Sequence, residues 1–297
     1  MMQQTVKVPA PTKRIRTQNG TNHSVRTVTP YKVIGIIVLI ILALFFLFPL
    51  YWIITGSFKN QQAVIAAVPQ WFPTEPTMNN YVRLLQRPAF TWLGNTVLIC
   101  VLSMIFTCLS ASMAGYALAK KRFTGRKLLF SLFIIAMALP KQVILIPLLK
   151  EMAWLNLHNT IWAVVFPTVG WPFGVFLMKQ FSENIPDEML EASNIDGASE
   201  TRTFLQIVLP MISPGIGALA IFTFISAWND YFLQLIMLND TKVLTISLGI
   251  AKLQSELSTD FGLIMAGAAL ASVPIIIVFL IFQKFFTRGM TMGAVKG

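Results

Sequence analysis

Hydrophobic residues in this chain fall into long unbroken runs, not the strict alternation of a half-buried strand. The runs lie at about 33–55, 93–119, 128–149, 160–178, 211–238 and 263–286. Each has about the 20 residues that a helix needs to cross the hydrocarbon core of a bilayer. The pattern predicts an all-α integral membrane protein with six transmembrane helices over 32–286. The first run is longer than the roughly 7–15 apolar residues of a secretory signal, and continues into Pro49-Leu50-Tyr51-Trp52 with no small-residue cleavage site. It is expected to stay in the membrane. Pro140 and Pro147 interrupt the third run, and Pro167 and Pro172 can kink the fourth. Ala111, Gly115 and Ala119 repeat every four residues in the second, a stripe that lets a neighbouring helix come close.

The polar segments complete the layout. Residues 1–31 are basic, rich in Thr, Asn and Gln and free of acid, as expected of a flexible tail. The 56–92 connector carries Trp71, Phe72 and Tyr81, residue types that suit a bilayer surface. Residues 287–297 form a short C-terminal tail. With the N-terminus inside, 16 of the 23 Lys and Arg lie on the inner side and six on the outer, with Lys141 inside a span. The positive-inside rule then puts both termini, the 120–127 loop and the 179–210 loop in the cytoplasm.

Composition narrows the function. Only 12% of residues are charged and 55% are hydrophobic, against about 25% charged in a soluble protein. The net charge of +11 does not form a basic patch interleaved with stacking aromatics, so nucleic acid is not an expected partner. No GxxxxGK[ST] run is present to cradle nucleotide phosphates. His23 and His158 are isolated. Cys100 and Cys108 would stand roughly 12 Å apart on one helix, too far for a disulfide. The chain is expected to bind no cofactor or metal and to catalyse nothing itself.

Two ionisable residues lie well within the apolar runs, Lys141 and Asp230. Charge at that depth is costly unless it meets water or a partner, which makes each a functional candidate. Asp230 sits in Trp228-Asn229-Asp230-Tyr231, with Gln234 one turn on. Aromatic faces beside amide and carboxylate groups suit a sugar, and an Asp at the interface or paired to another helix suits the same residues. Lys141 follows Pro140 in a broken segment, where irregular backbone usually lines a cavity or a protein interface, and a cationic pore residue would suit an acidic sugar. A snorkelling lysine from a helix end is the other reading.

The segment 186–210 is polar between two spans. Pro186, Asp187 and Glu188 suit a helix start, Asp196-Gly197 a break, Ser199 a second N-cap, and Pro210 a stop. A helix–Gly–helix hairpin between two spans must lie on the membrane surface, where it reads as a docking element. Asp187, Glu191, Ala192, Asp196, Gly197, Ala198, Phe204, Leu209 and Pro210 together resemble the EAA loop of permease subunits in binding-protein-dependent carbohydrate ABC importers. Ser193 stands where many members have Ala. The resemblance extends to Ser57-Phe58-Lys59, Trp71-Phe72-Pro73 and Asn80-Tyr81. It extends also to the terminal Arg288-Gly289-Met290-Thr291-Met292-Gly293-Ala294-Val295-Lys296-Gly297, which is similar to the smaller permease subunit of maltose-type importers.

This resemblance implies a type I ABC importer permease fold and a subunit that translocates a sugar or oligosaccharide by alternating access. It implies a second, homologous permease forming a heterodimer and two cytoplasmic ATPase subunits that bind ATP and Mg. An extracytoplasmic sugar-binding protein and a prokaryotic cell membrane complete the setting. It also implies that residues 240–261 correspond to an outer loop that enters the binding protein in the maltose system. Rival readings are the same architecture carrying a polyol, phosphate ester or peptide, a secondary transporter, and a membrane-embedded enzyme. The single intramembrane carboxylate and the lack of clear internal repeats disfavour the last two.

Overall fold

The computed structural model describes residues 30–256 and 260–294. Among them every regular element is helical. The chain divides into two units, 1–48 and 49–297. The described part of the first unit, 30–48, belongs to helix α1 (Pro30–Ser57). Its apolar side chains, Ile34, Leu39 and Phe45 among them, are exposed, a surface suited to hydrocarbon rather than water. Most of the basic segment expected to be a flexible tail, 1–29, lies outside the described residues. The helix has already begun at Pro30, where a missing N–H leaves no bond unmade.

In the second unit the order is α2 (Gln61–Val64), α3 (Asn79–Leu85), α4 (Ala89–Lys120), α5 (Arg126–Met137), a 3₁₀ turn (Lys141–Ile144) and α6 (Leu145–Trp154). There follow α7 (Trp162–Val169), α8 (Phe173–Glu183), α9 (Asp187–Ile195), α10 (Glu200–Thr203), a π turn (Phe204–Val208) and α11 (Leu209–Met211). The chain ends with α12 (Ser213–Asn229), α13 (Tyr231–Met237), α14 (Ile246–Glu256) and α15 (Phe261–Ala294).

Three stretches are continuous helices long and apolar enough to cross a membrane: Tyr31–Ser57, Ala89–Lys120 and Phe261–Gln283. The other three crossings are broken. Arg126–Met137 meets Lys141–Trp154 at 100°, Trp162–Val169 meets Phe173–Glu183 at 40°, and Glu200–Met211 meets Ser213–Asn229 at 76°. Pro140 and Pro172 cap the new segments at the first two breaks, as a residue that cannot continue a helix but can begin one should. Pro147 falls in the first turn of α6 and breaks nothing. The run expected as one span over 211–238 instead ends at Asp230, whose φ of −80° and ψ of 69° leave helical space before α13 begins.

Helix α4 is the axis of this unit. Gly115 lies so close to α8 that an added Cβ would stand 2.6 Å from the Lys179 amide nitrogen and 2.7 Å from the Met178 carbonyl carbon. Ala111, 2% exposed, continues the same contact. Apolar burial drives little association inside lipid, so close packing of small residues carries the contact. Around α4 lie two cores. One gathers Trp92, Leu145, Met237 and Ile246; the other gathers Tyr116, Met178, Val208 and Leu219 near the hairpin.

Residues 240–261 were expected as an outer loop, and within them Ile246–Glu256 form α14. Ile246, Leu248 and Leu253 are buried, and Ile250 packs against the same core. The Trp92 indole donates to the Thr241 carbonyl at 3.0 Å, and the Asn95 amide to the Lys242 and Leu244 carbonyls at 2.8 and 3.0 Å. The Ile246 N–H donates to Thr96 Oγ1 at 2.8 Å. Apolar residues at helical spacing and these links hold the segment against α4.

The 56–92 connector is tied down by the residues that marked it in the sequence. Asn80 Nδ2 donates to the Ser57 and Lys59 carbonyls at 2.9 and 2.8 Å, and the Ser57 and Tyr81 hydroxyls share a bond at 2.8 Å. The Lys59 ammonium lies over the Trp52 ring and donates to the Gln70 carbonyl. Burial pulls its pKa below the usual lysine value. Helix α15 continues to Ala294, so the C-terminal segment begins as helix rather than as a separate tail at 287. The side chains of the Arg288–Gly297 signature lie outside those described.

Candidate functional site: a hairpin and a meeting of helix breaks

The surface hairpin is built from its caps inward. Helix α9 starts after Pro186, which holds the N-cap, and its first turn carries Asp187 and Glu188. Lys120 Nζ bonds Asp187 Oδ1 at 2.7 Å and the Ile185 carbonyl at 2.6 Å. This lysine holds the Asp187 carboxyl below the ordinary carboxylate range, chiefly through the hydrogen bond. At the other end Gly197 adopts φ +71°. Its N–H donates to Asn194, and the Ala198 N–H to Ser193, at 3.1 and 3.0 Å. That double bond pattern is a Schellman cap, which a glycine in the left-handed region closes at least cost.

Ser199 then caps α10, its hydroxyl accepting from the Arg202 N–H at 3.3 Å. The two arms are held together by the Ser193 and Thr203 hydroxyls, 2.6 Å apart, in residues 4% and 3% exposed. Phe204 packs its ring 5.7 Å from Tyr116 of α4, and Lys121 pairs with Glu200 at 2.5 Å. Burial lowers the Lys121 pKa, but hydrogen bonds to Glu200 and Tyr116 outweigh it and the net shift is upward. Val208 in the π turn is fully buried.

The expected docking residues therefore separate into two groups. Phe204 packs on the body of the chain, Asp187 is exposed but ion-paired to Lys120, Gly197 and Ala198 form the cap, and Leu209 is half-buried. Glu191, Ala192, Asp196 and Pro210 are exposed. Beside them stand Met189, 43% exposed, and Ile195, 86% exposed at the hairpin tip. Sequence reading passed over both, although an isoleucine next to a glycine break in a polar helix was a visible signal. The result is a rigid, clamped hairpin with an apolar tip. Ser193→Ala, which leaves the Thr203 hydroxyl unpaired, is expected to cost about 1–2 kcal/mol. Thermal unfolding should show most of that loss restored when Thr203→Val is added, and a loss not restored would place it elsewhere.

The second place is where the breaks meet. Lys141 opens the 3₁₀ turn after the first break, Trp171 lies in the second, and Asp230 is a further break, between α12 and α13. Lys141 Nζ lies 3.6 Å from Asp230 Oδ2 and 4.7 Å from the centroid of the Trp171 ring. Asp230 Oδ1 accepts from the Leu233 N–H at 3.4 Å, capping α13. The sequence singled out Lys141 and Asp230 separately; the fold makes them a pair.

Trp171 borders three cavities. One of about 60 Å³ holds Lys141 and Asp230 with Thr168 and Phe232. A second of about 80 Å³ is lined by Lys141, Thr168, Thr107, Thr223 and Ser226 with Phe222. A wider apolar groove of about 510 Å³ runs along α5. Thr107 is 4% exposed and its hydroxyl has no partner. None of Trp171, Thr107, Thr168 or Thr223 stood out in the sequence; Ser226 belongs to the run that leads into Trp228 and Asp230. The Gly170-Trp171-Pro172 run marked a break, but not what it would face.

The other expected path residues have internal occupations. Trp228 is 6% exposed and stacks on Phe224, with ring centroids 5.7 Å apart. Gln234 is 1% exposed, donates to the Ala227 carbonyl at 2.8 Å and accepts from the Thr245 hydroxyl at 2.6 Å. Asn229 is exposed and donates to the Ile225 carbonyl at 3.0 Å, and Tyr231 is half-buried with its ring beside Phe232. None of the four lines the cavities around Trp171. Their residue types suited a sugar, but helix α12 turns Trp228 into the core, and Gln234 bridges the break at Asp230. Among the described residues no group of three His, Cys, Asp or Glu could hold a metal ion.

Residues 108–292 match the family described as binding-protein-dependent transport system inner membrane component. The arabinooligosaccharides transport system permease protein AraQ of Halalkalibacterium halodurans is 33% identical over 254 residues, covering 84% of this chain and 91% of that protein. The trehalose/maltose transport system permease protein MalG of Thermococcus litoralis is 31% identical over 276 residues, covering 90% and 97%. The solved structure of a bacterial ABC transporter involved in the import of the acidic polysaccharide alginate superposes with a TM-score of 0.77 at 22% identity. That superposition covers 88% of this chain and 98% of that one.

Proposed function

This chain belongs to the binding-protein-dependent transport system inner membrane component family, and from that premise we propose how it works as the permease subunit of a carbohydrate ABC importer. The observation that carries the mechanism is the continuity between the two sites. The hairpin's arms lead directly into α8 and α12, and the far ends of those helices adjoin Trp171 and Asp230. A push on the hairpin is thereby delivered to two of the three groups at the breaks, while Lys141 stands on a different broken segment.

The relatives named for arabinooligosaccharides and for trehalose and maltose support an oligosaccharide as cargo. The 120–127 loop is ion-paired to the hairpin, so both lie on one side of the membrane. The excess of basic residues makes that side, with the N-terminus, the cytoplasm. There the exposed tip at Ile195 and Met189, with Glu191 and Asp196, docks on one of two ATPase subunits, which hold ATP and Mg. A second, homologous permease completes the pore, and an extracytoplasmic binding protein delivers the sugar. ATP binding favours the outward-open state and hydrolysis resets it; ATP can drive the change only because it binds one state better than the other.

The test is reconstitution. Both permeases and the ATPases in proteoliposomes, with the binding protein outside, should accumulate labelled arabinotriose or maltotriose only when ATP is enclosed. Accumulation without ATP that instead follows an imposed proton or sodium gradient would make the chain a secondary transporter.

A further inference from the structure

We infer that the cavities around Trp171 form a sugar subsite on this subunit that takes a neutral pyranose or furanose ring and rejects uronates. The inference rests on the importer reading and adds to it the charge class of the cargo and the residues that select it.

Three observations carry it. First, the groups that converge are those a glycan needs: an indole face, an ammonium, a carboxylate and several hydroxyls. Trp171 lines both the cavity of about 60 Å³ and that of about 80 Å³. Thr107, whose buried hydroxyl has no partner, is among the residues that line the second cavity.

Second, Lys141 already carries its counter-ion. At 3.6 Å the Lys141–Asp230 pair is too long for a hydrogen bond, so both groups keep capacity for ligand hydroxyls while their charges cancel. A neutral sugar bridges the two and leaves the balance intact. A uronate must compete with Asp230 for Lys141, the only cation among the described residues that line either cavity. The loser is a carboxylate held among apolar groups without its partner, and Asp230 is only 18% exposed.

Third, the three groups stand at three helix breaks, where backbone irregularity at membrane depth is tolerated beside a cavity. Such a place lies on a translocation path rather than in a packed core.

The experiment uses the complete importer in proteoliposomes with its binding protein. Neutral probes are arabinotriose, maltotriose and diacetylchitobiose; the acidic probe is trigalacturonate. Wild type should take up at least one neutral probe and trigalacturonate no faster than empty vesicles. Trp171→Ala should cut neutral uptake at least tenfold, and Trp171→Phe, which keeps an aromatic face, should restore much of it; co-purification of all subunits checks assembly. Asp230→Asn keeps the cap on α13 and frees the lysine, so the ratio of acidic to neutral uptake should rise at least tenfold. Uptake of trigalacturonate by wild type, neutral uptake unchanged in an assembled Trp171→Ala importer, or an unchanged ratio in Asp230→Asn would each overturn the inference. ATP-dependent uptake of no carbohydrate by wild type would instead overturn the importer reading on which it stands.

Discussion

Gly197→Pro is expected to abolish coupling while leaving the membrane part of the protein assembled. Gly197 holds φ at +71°, and proline fixes φ near −65°, so the cap cannot form as it stands. Proline also removes the N–H that donates to the Asn194 carbonyl. Together these cost about 3 kcal/mol or more, which lowers the population of correctly formed hairpin by about a hundredfold. The damage stays local, because no atom lies within 4 Å of the position a Cβ would occupy. The complex should co-purify, while binding-protein-stimulated ATP hydrolysis and sugar uptake fall together. Gly197→Ala asks only for a left-handed alanine, about 1–2 kcal/mol, and should keep partial activity. If the proline variant retains stimulated hydrolysis and uptake at wild-type rates, the hairpin is a connector and transmits nothing.

Gly115→Val should produce the largest loss of stability of any single change along α4. The atoms facing the absent side chain are backbone, the Lys179 amide nitrogen at 2.6 Å and the Met178 carbonyl carbon at 2.7 Å, and backbone cannot rotate away. Helices α4 and α8 would have to separate, and α8 is the arm between the hairpin and Trp171. Overpacking of this kind costs about 3 kcal/mol. It should appear as a large fall in the unfolding temperature of the purified complex, or as failure to assemble. Gly94→Val is the control on the same helix, since nothing lies within 4 Å of its Cβ position. Equal unfolding temperatures for the two variants would show that close approach at Gly115 contributes nothing.

Much of this was legible in the sequence because local rules govern it. The hairpin is an example: Pro186, Gly197, Ser199 and the acidic first turn act within a few residues of themselves, and each stands where cap chemistry put it. The small-residue stripe on α4 likewise announced a close helix contact, though not that its partner was α8. Other features were misread. Residues 240–261 were expected as an outer loop from the resemblance alone, yet Ile246, Ile250 and Leu253 have helical spacing and are held to the core. Trp228 and Gln234 carried the right chemistry for a sugar and the wrong facing. Residue type says what a side chain can bind, and helix rotation says what it meets.

The sequence by itself determined that the chain crosses a membrane and where the breaks at Pro140 and Pro172 and the caps of the hairpin lie. It also determined where the polar helix–Gly–helix hairpin lies. Hydrophobic run length, proline and glycine settle those points through forces that act within one or two helical turns. Only the tertiary structure decided that the breaks at Lys141, Trp171 and Asp230 come together, and that the hairpin's two arms end beside two of them. Those residues are far apart in the chain, and their meeting depends on how α4 seats α8 and α12 through contacts between backbone and small side chains. Inside lipid that packing, rather than apolar burial, chooses among possible helix neighbours, and no local pattern of residues encodes it.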